Sequence, residues 1–169
     1  MRSAERGLTL PADLVRLKDQ RMIAAYRREL RPVAGVGEAL ARIAQPKSVG
    51  TNGPRARAIE ALEITGLWNF FDSITTFEDV ANGKPSPDIY LKAAERAGCR
   101  PERCVVVEDS AAGVAAGVAA GCRVFAFTGT AHDPAVQAAK LLGLGAEFAT
   151  ARMEDIAGMI AVRKRHAAL

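Results

Sequence analysis

Aromatic residues are scarce in this chain, 5% of 169 residues with a single tryptophan, and histidine occurs only twice. That scarcity removes the stacking platforms on which single-stranded nucleic acids are held, and it leaves few imidazoles for transition-metal chemistry. Cysteine is rare too. Cys99, Cys104 and Cys122 are odd in number and show neither C-x-x-C nor His-paired spacing, which argues against a disulfide framework or a zinc site and predicts reduced core thiols. No apolar run reaches the ~18 residues a membrane span needs. Arg2, Glu5 and Arg6 stand where a signal peptide would be apolar, so the expected location is cytoplasmic, with no membrane partner. Neither sign of charge dominates: 23 Lys and Arg face 19 Asp and Glu, a surplus of +4 that is ordinary solubility charge and makes no case for a nucleic-acid partner. The basic ends, Arg27, Arg28 and Arg31 at the front and Arg163, Lys164 and Arg165 at the back, read as solvated helix faces.

What the chain does have is apolar content, 49% of residues, enough for the core of one domain. Leu14, Leu17, Met22, Ile23, Tyr26 and Leu30 recur at three- and four-residue spacings, which predicts an amphipathic helix over Pro11 to Leu30. A second short helix over Gly35 to Ala44 is stopped by Pro46, and a strand weakened by Gly50 follows over Lys47 to Thr51. Pro54 opens a helix that Gly66 closes; a strand lies around Ile74, and a helix from Ile89 ends at Gly98. Cys104, Val105, Val106 and Val107 form the strongest strand, expected to be buried on both faces. Gly113, Gly117 and Gly121, four apart in an Ala-rich helix, predict close packing on a sheet. A strand at Val124 to Phe127, a helix at Pro134 to Leu142, an edge strand at Glu147 to Thr150 and a closing helix at Met153 to Val162 complete an α/β alternation. Such alternation predicts a parallel, Rossmann-like sheet with flanking helices and ligands at the carboxyl ends of its strands.

Three polar constellations fall at those ends. Thr51, Asn52, Gly53 and Pro54 offer a hydroxyl, an amide and backbone N–H groups at a helix start, which suits either an anion seat or an N-cap. Gly83, Lys84, Pro85, Ser86, Pro87 and Asp88 hold one lysine between a glycine and a proline, either a surface turn or a positioned ammonium for phosphate. Glu108, Asp109 and Ser110 end the Val-rich strand. Adjacent carboxylates there need a cation or hydrogen-bond donors, and hard oxygen ligands suit Mg²⁺; capping of the next helix by Asp109 or Ser110 is compatible with that. Trp68, Phe70 and Phe71 read as a core anchor, and His132 and His166, without partners at ligand spacing, as surface or loop residues.

Together these stretches resemble the haloacid dehalogenase (HAD) superfamily, in its branch of sugar-phosphate phosphatases and β-phosphoglucomutase-like enzymes. Ser48 to Pro54 is similar to the family's second motif, Gly83-Lys84-Pro85-Ser86-Pro87-Asp88 to the third, and Val105 to Gly113 to the fourth. The resemblance runs from about Leu8 to the C-terminus. It implies that Thr51, Asn52 and Gly53 bind phosphoryl oxygens of a small phosphorylated metabolite, that Lys84 neutralises their charge, and that Glu108 and Asp109 hold Mg²⁺. In that family an aspartate attacks the phosphomonoester, and a second aspartate two residues on serves as general acid and then base.

The family's first motif, D-x-D-G-T, is absent from the 169 residues; before Thr51 the carboxylates are Glu5, Asp13, Asp19, Glu29 and Glu38, none after a Val/Ile-rich strand. The resemblance therefore implies that residues 1–31 are the remnant of a helical cap and 32–169 an incomplete HAD-like α/β core lacking its first strand. The strand lacking would lie between those ending at Thr51 and Glu108, leaving the two edges roughly 10 Å apart or newly paired. Exposed edges predict a homodimer, aggregation or strand complementation. Two functional readings stand: a Mg²⁺-dependent phosphatase-family protein, nearly inactive as this polypeptide, or a catalytically silent relic that binds phosphate and Mg²⁺ or a protein. A receiver-like signalling domain is disfavoured, because Thr51 and Lys84 precede the acidic pair.

Overall fold

The computed structural model describes residues 12–162. Along these the chain runs α1 (Ala12–Glu29), α2 (Val36–Arg42), β1 (Ser48–Thr51), α3 (Arg55–Ile64), β2 (Ser73–Thr76), α4 (Asp88–Arg96), β3 (Val105–Glu108), α5 (Ala111–Ala119), β4 (Arg123–Phe127), α6 (Pro134–Gly143), β5 (Phe148–Thr150) and α7 (Met153–Val162). The alternation expected from periodicity is present. It is an α/β fold whose strands pair in parallel, in two groups: β1 with β2, and β3 with β4 and β5. β1 and β3 make no ladder with each other, so among the described residues each keeps one edge without a strand partner. Among the described residues no helix is long and apolar enough to cross a membrane.

Small residues set the spacing between the layers. A Cβ on Gly117 would lie 2.7 Å from the Val124 side chain and 3.3 Å from that of Val106, so glycine is what lets α5 rest directly on β3 and β4. Val114 and Ala116 of the same helix, and Ala120 just past its end, join Val106, Val124, Ala126, Leu141 and Tyr90 in one core cluster. A second cluster, Phe125, Phe127 and Ile156, lies under α7. Gly66, Gly98 and Gly121 follow α3, α4 and α5 with positive φ, the left-handed turn that ends a helix and redirects the chain.

Three expectations need correction. Val106 is buried, but Val107 is 40% exposed: α5 covers one face of β3, while the cluster under α7 reaches Val105 and not Val107. Trp68 is 38% exposed rather than a core anchor, because the one-turn helix Trp68–Phe70 cannot turn all its side chains inward and only Phe70 and Phe71 are half-buried. The cysteines are free thiols but half-buried, since all three lie in the turns that lead into β3 and β4. Burial pushes the Cys104 thiol up to about 12, which leaves it protonated and inert. His132 is exposed in the loop after β4. Arg2, Glu5, Arg6, Arg163, Lys164, Arg165, His166 and the side chains of Asp13 and Asp19 lie outside the described residues.

A charged junction ties the first strand pair to its helices. Asp79 accepts from Arg96 at 2.7 Å, from Arg55, and from the Thr76 backbone N–H at 2.7 Å; Arg96 also donates to the Ile74 carbonyl at 2.8 Å. The Arg96 hydrogen bond, then that of the Thr76 amide, hold the Asp79 carboxyl well below the usual carboxylate range. The folded value thus lies under the unfolded one. The stabilisation is fully present above the unfolded value and is lost as pH falls through the folded one. We expect Asp79→Ala to cost about 1–2 kcal/mol at pH 7, read by urea unfolding. The gap to wild type should begin to narrow below about pH 4 and go on narrowing as pH falls toward the folded value; a gap independent of pH would refute the assignment.

Candidate active site at the carboxyl ends of the strands

β1 ends at Thr51, whose hydroxyl oxygen accepts from the Gly53 N–H at 2.9 Å. Pro54 sits at the N-cap of α3 without a side-chain cap bond, so neither Thr51 nor Asn52 caps that helix. Asn52 instead reaches across to the loop after β2. Its amide nitrogen donates to the Lys84 carbonyl at 3.0 Å and its amide oxygen accepts from the Lys84 N–H at 2.8 Å. A Cβ on Gly83 would stand 2.8 Å from that oxygen, so the approach needs glycine there. The loop is braced internally as well: Ser86 donates to Asp88 at 2.6 Å, and Asn82 donates to Asp88 through backbone and side chain at 3.1 Å. The Lys84–Pro85 peptide is cis.

So held, Lys84 points inward rather than forming a surface turn. The Lys47 carbonyl accepts from the Asp72 amide, so by strand alternation the Gly50 carbonyl faces away from β2, and the Lys84 ammonium donates to it at 2.9 Å. The same ammonium donates to Glu108 at the end of β3, and both side chains are 9% exposed. Glu108 also accepts from the Tyr90 hydroxyl and, at 3.0 Å, from Ser110, which in turn caps α5 by accepting from the Gly113 N–H. Desolvation pushes the Glu108 carboxyl up; the Lys84 charge and the hydrogen bonds from Lys84, Tyr90 and Ser110 outweigh it, and the net shift is downward. Asp109, beside it, is exposed, and its backbone carbonyl accepts from Gln137 of α6 at 2.8 Å.

Thr51, Asn52, Gly53, Lys84, Glu108 and Asp109 therefore stand at one end of the strands. Not all keep a proton to give. The Gly53 N–H is committed to Thr51, and one of the two Asn52 amide N–H groups to the Lys84 carbonyl, which leaves the amide its second donor. The Thr51 hydroxyl accepts from Gly53 and can still donate; an ammonium has three N–H bonds, and two of those on Lys84 have acceptors among the described residues. Among the described residues no three His, Cys, Asp or Glu side chains cluster to hold a metal unaided. One or two carboxylates with phosphate and water oxygens are what Mg²⁺ ordinarily takes, and the Glu108–Asp109 pair, one half of it exposed, fits that donor set.

The residue that sequence reasoning missed is Tyr90. Its position on α4 reads as one more apolar-face residue, and nothing in the spacing separates it from Ile89 or Ala94.

The family model for haloacid dehalogenase-like hydrolases matches residues 1–121. The chain is 43% identical over 89 residues to hexitol phosphatase A of Escherichia coli (strain K12), covering 53% of this chain and 41% of that protein. It is 30% identical over 141 residues to 6-phosphogluconate phosphatase of the same organism, covering 78% of this chain and 60% of that protein. The chain thus spans about half the length of the curated relatives it matches. Among solved structures, a HAD family hydrolase from Deinococcus radiodurans R1 with bound phosphate and sodium superposes with a TM-score of 0.77 at 31% identity, over 96% of this chain and 72% of that one.

The Glu108 carboxylate lies against Gly113, where an added Cβ would collide with it. Alanine normally favours a helix by up to about 1 kcal/mol over glycine. Here we expect Gly113→Ala to destabilise by about 1–3 kcal/mol in urea unfolding, because Glu108 must leave its three donors. A stabilised Gly113→Ala protein would show that Glu108 is not seated there.

Proposed function

Because the chain belongs to the haloacid dehalogenase-like hydrolases, we propose that its strand ends form the phosphate- and Mg²⁺-binding part of a phosphatase site for a small phosphorylated metabolite, a sugar or sugar-acid phosphate. The observation that carries this is the buried Lys84 ammonium, held by two acceptors at the mouth between β1 and β3 with a third N–H still to give. Lys84 and the Thr51 hydroxyl contact the phosphoryl oxygens. Asn52 contributes by fixing the Lys84 backbone, and Gly53 by orienting the Thr51 oxygen. Asp109, with Glu108 beside it, would hold Mg²⁺, which when bound neutralises phosphoryl charge. The substrate class follows the names of the relatives, a hexitol phosphatase and a 6-phosphogluconate phosphatase. The resemblance supports reading residues 1–31 as the remnant of a helical cap and 32–169 as an incomplete core.

No D-x-D-G-T occurs in the 169 residues, so this polypeptide is proposed to bind phosphate without efficient turnover. With Mg²⁺ and a panel of hexitol, hexose and sugar-acid phosphates, we expect phosphate release near background. Calorimetry should detect inorganic phosphate binding that is lost in Lys84→Met. Turnover abolished by Thr51→Ala would overturn the inactivity; unaltered binding in Lys84→Met would overturn the site.

The edges of β1 and β3 that face away from their partners remain open to a further strand, from a second copy or a separate polypeptide, and an open parallel edge favours such pairing. Sedimentation equilibrium should therefore give a dimer or larger species. A monodisperse monomer at high concentration would count against complementation between copies.

A further inference from the structure

The Tyr90 side chain touches both members of the buried ion pair. Its hydroxyl donates to Glu108, and the Lys84 nitrogen stands 4.8 Å from the centre of its ring. The side chain is 8% exposed and belongs to the core cluster with Val106 and Val114. β1 gives way to it. A Cβ on Gly50 would lie 3.2 Å from the Tyr90 ring and 3.0 Å from Ile89, so the glycine that weakens this strand also makes room for the aromatic beneath it. Burial first, then the negative charge of Glu108, push the phenol well above its ordinary value, which keeps it a proton donor throughout the neutral and alkaline range.

An ammonium facing a carboxylate alone would swing wholly toward it. Here the Glu108 oxygen that meets Lys84 is shared with a neutral donor, and the other oxygen is taken by Ser110, so the carboxylate is held in place and its pull on the ammonium is divided. The Gly50 carbonyl also accepts from Lys84, and the Tyr90 ring lies under the ammonium. We infer that Tyr90 is a positioning residue: by fixing Glu108 and backing the ammonium, it aims the remaining N–H of Lys84 at an incoming phosphoryl oxygen. The aim toward phosphate rests on the function proposed above; the hold on the ion pair does not.

The test separates these two parts. In nitrogen-labelled protein, the Lys84 ammonium, assigned by its loss in Lys84→Met, reports its own order through its proton–nitrogen signal. We expect Tyr90→Phe to broaden or erase that signal and to weaken inorganic phosphate binding about three- to tenfold, as loss of one hydrogen bond to a charged group implies. In a Glu108→Gln background the same Tyr90→Phe change should leave phosphate binding unaltered. An unchanged Lys84 signal in Tyr90→Phe would overturn the inference and reduce Tyr90 to a core filler, as would an equal loss of binding with and without Glu108. If neither wild type nor variant binds phosphate, the proposed function falls, while the Lys84 signal still decides whether Tyr90 holds the pair.

Discussion

The two parallel strand groups of this protein are not stitched together by a backbone ladder where β1 meets β3; the link at that seam is a buried ammonium and carboxylate, with α4 packed against β1, β2 and α5 and its Tyr90 reaching the core cluster of Val106 and Val124. Taking two charges out of water costs several kcal/mol each, and mutual attraction offsets that only when the remaining hydrogen-bond positions are filled. Here they are. Glu108 has Lys84, Tyr90 and Ser110; Lys84 has Glu108 and the Gly50 carbonyl. The dependence spreads outward from this pair: the Asn52 clamp, the braced loop from Asn82 to Asp88 and the Ser110 cap all serve to bring it into register.

A second charged junction, around Asp79, does different work. It sits beside β2 and gathers Arg55 from the start of α3, Arg96 from the end of α4 and the Thr76 amide into one ionic knot. Its arginines are satisfied by Asp79 and by the Ile74 carbonyl of β2. Charge in this fold is thus divided between a knot that fixes helices to the first strand pair and a pair that can still offer a proton to a ligand.

Much of this was legible beforehand because each element carries its own physical signature. Pro54 and Gly66 bracket α3, the Val run marks β3, and the order of Thr51, Lys84 and Glu108 along the chain matches their convergence at one end of the strands. What escaped reading depends on contacts between distant segments. Gly50 reads as a flaw in β1, and only the fold shows Ile89 and Tyr90 pressed against it. Trp68 reads as an anchor because aromatics usually are, yet the tight turn that holds it faces solvent. The hydrogen-bonding side chains of the second motif looked free to grip an anion, and prove to be partly spent on the neighbouring loop. Periodicity tells which face of a helix is apolar; it does not tell which residue on that face carries a hydroxyl into a charged cluster.

Gly113 and Gly117 stand one turn apart on the face of α5 that meets the sheet, one shaved for a carboxylate and the other for two valines. The helix is therefore a shim of fixed thickness whose two ends bear on unlike materials, an electrolyte and a hydrocarbon. Any drift in how far this shim stands from the strands is transmitted to the ion pair over about 5 Å, the pitch of a single turn. Repacking the hydrocarbon end is then equivalent to retuning the electrolyte end, and selection on either one constrains both.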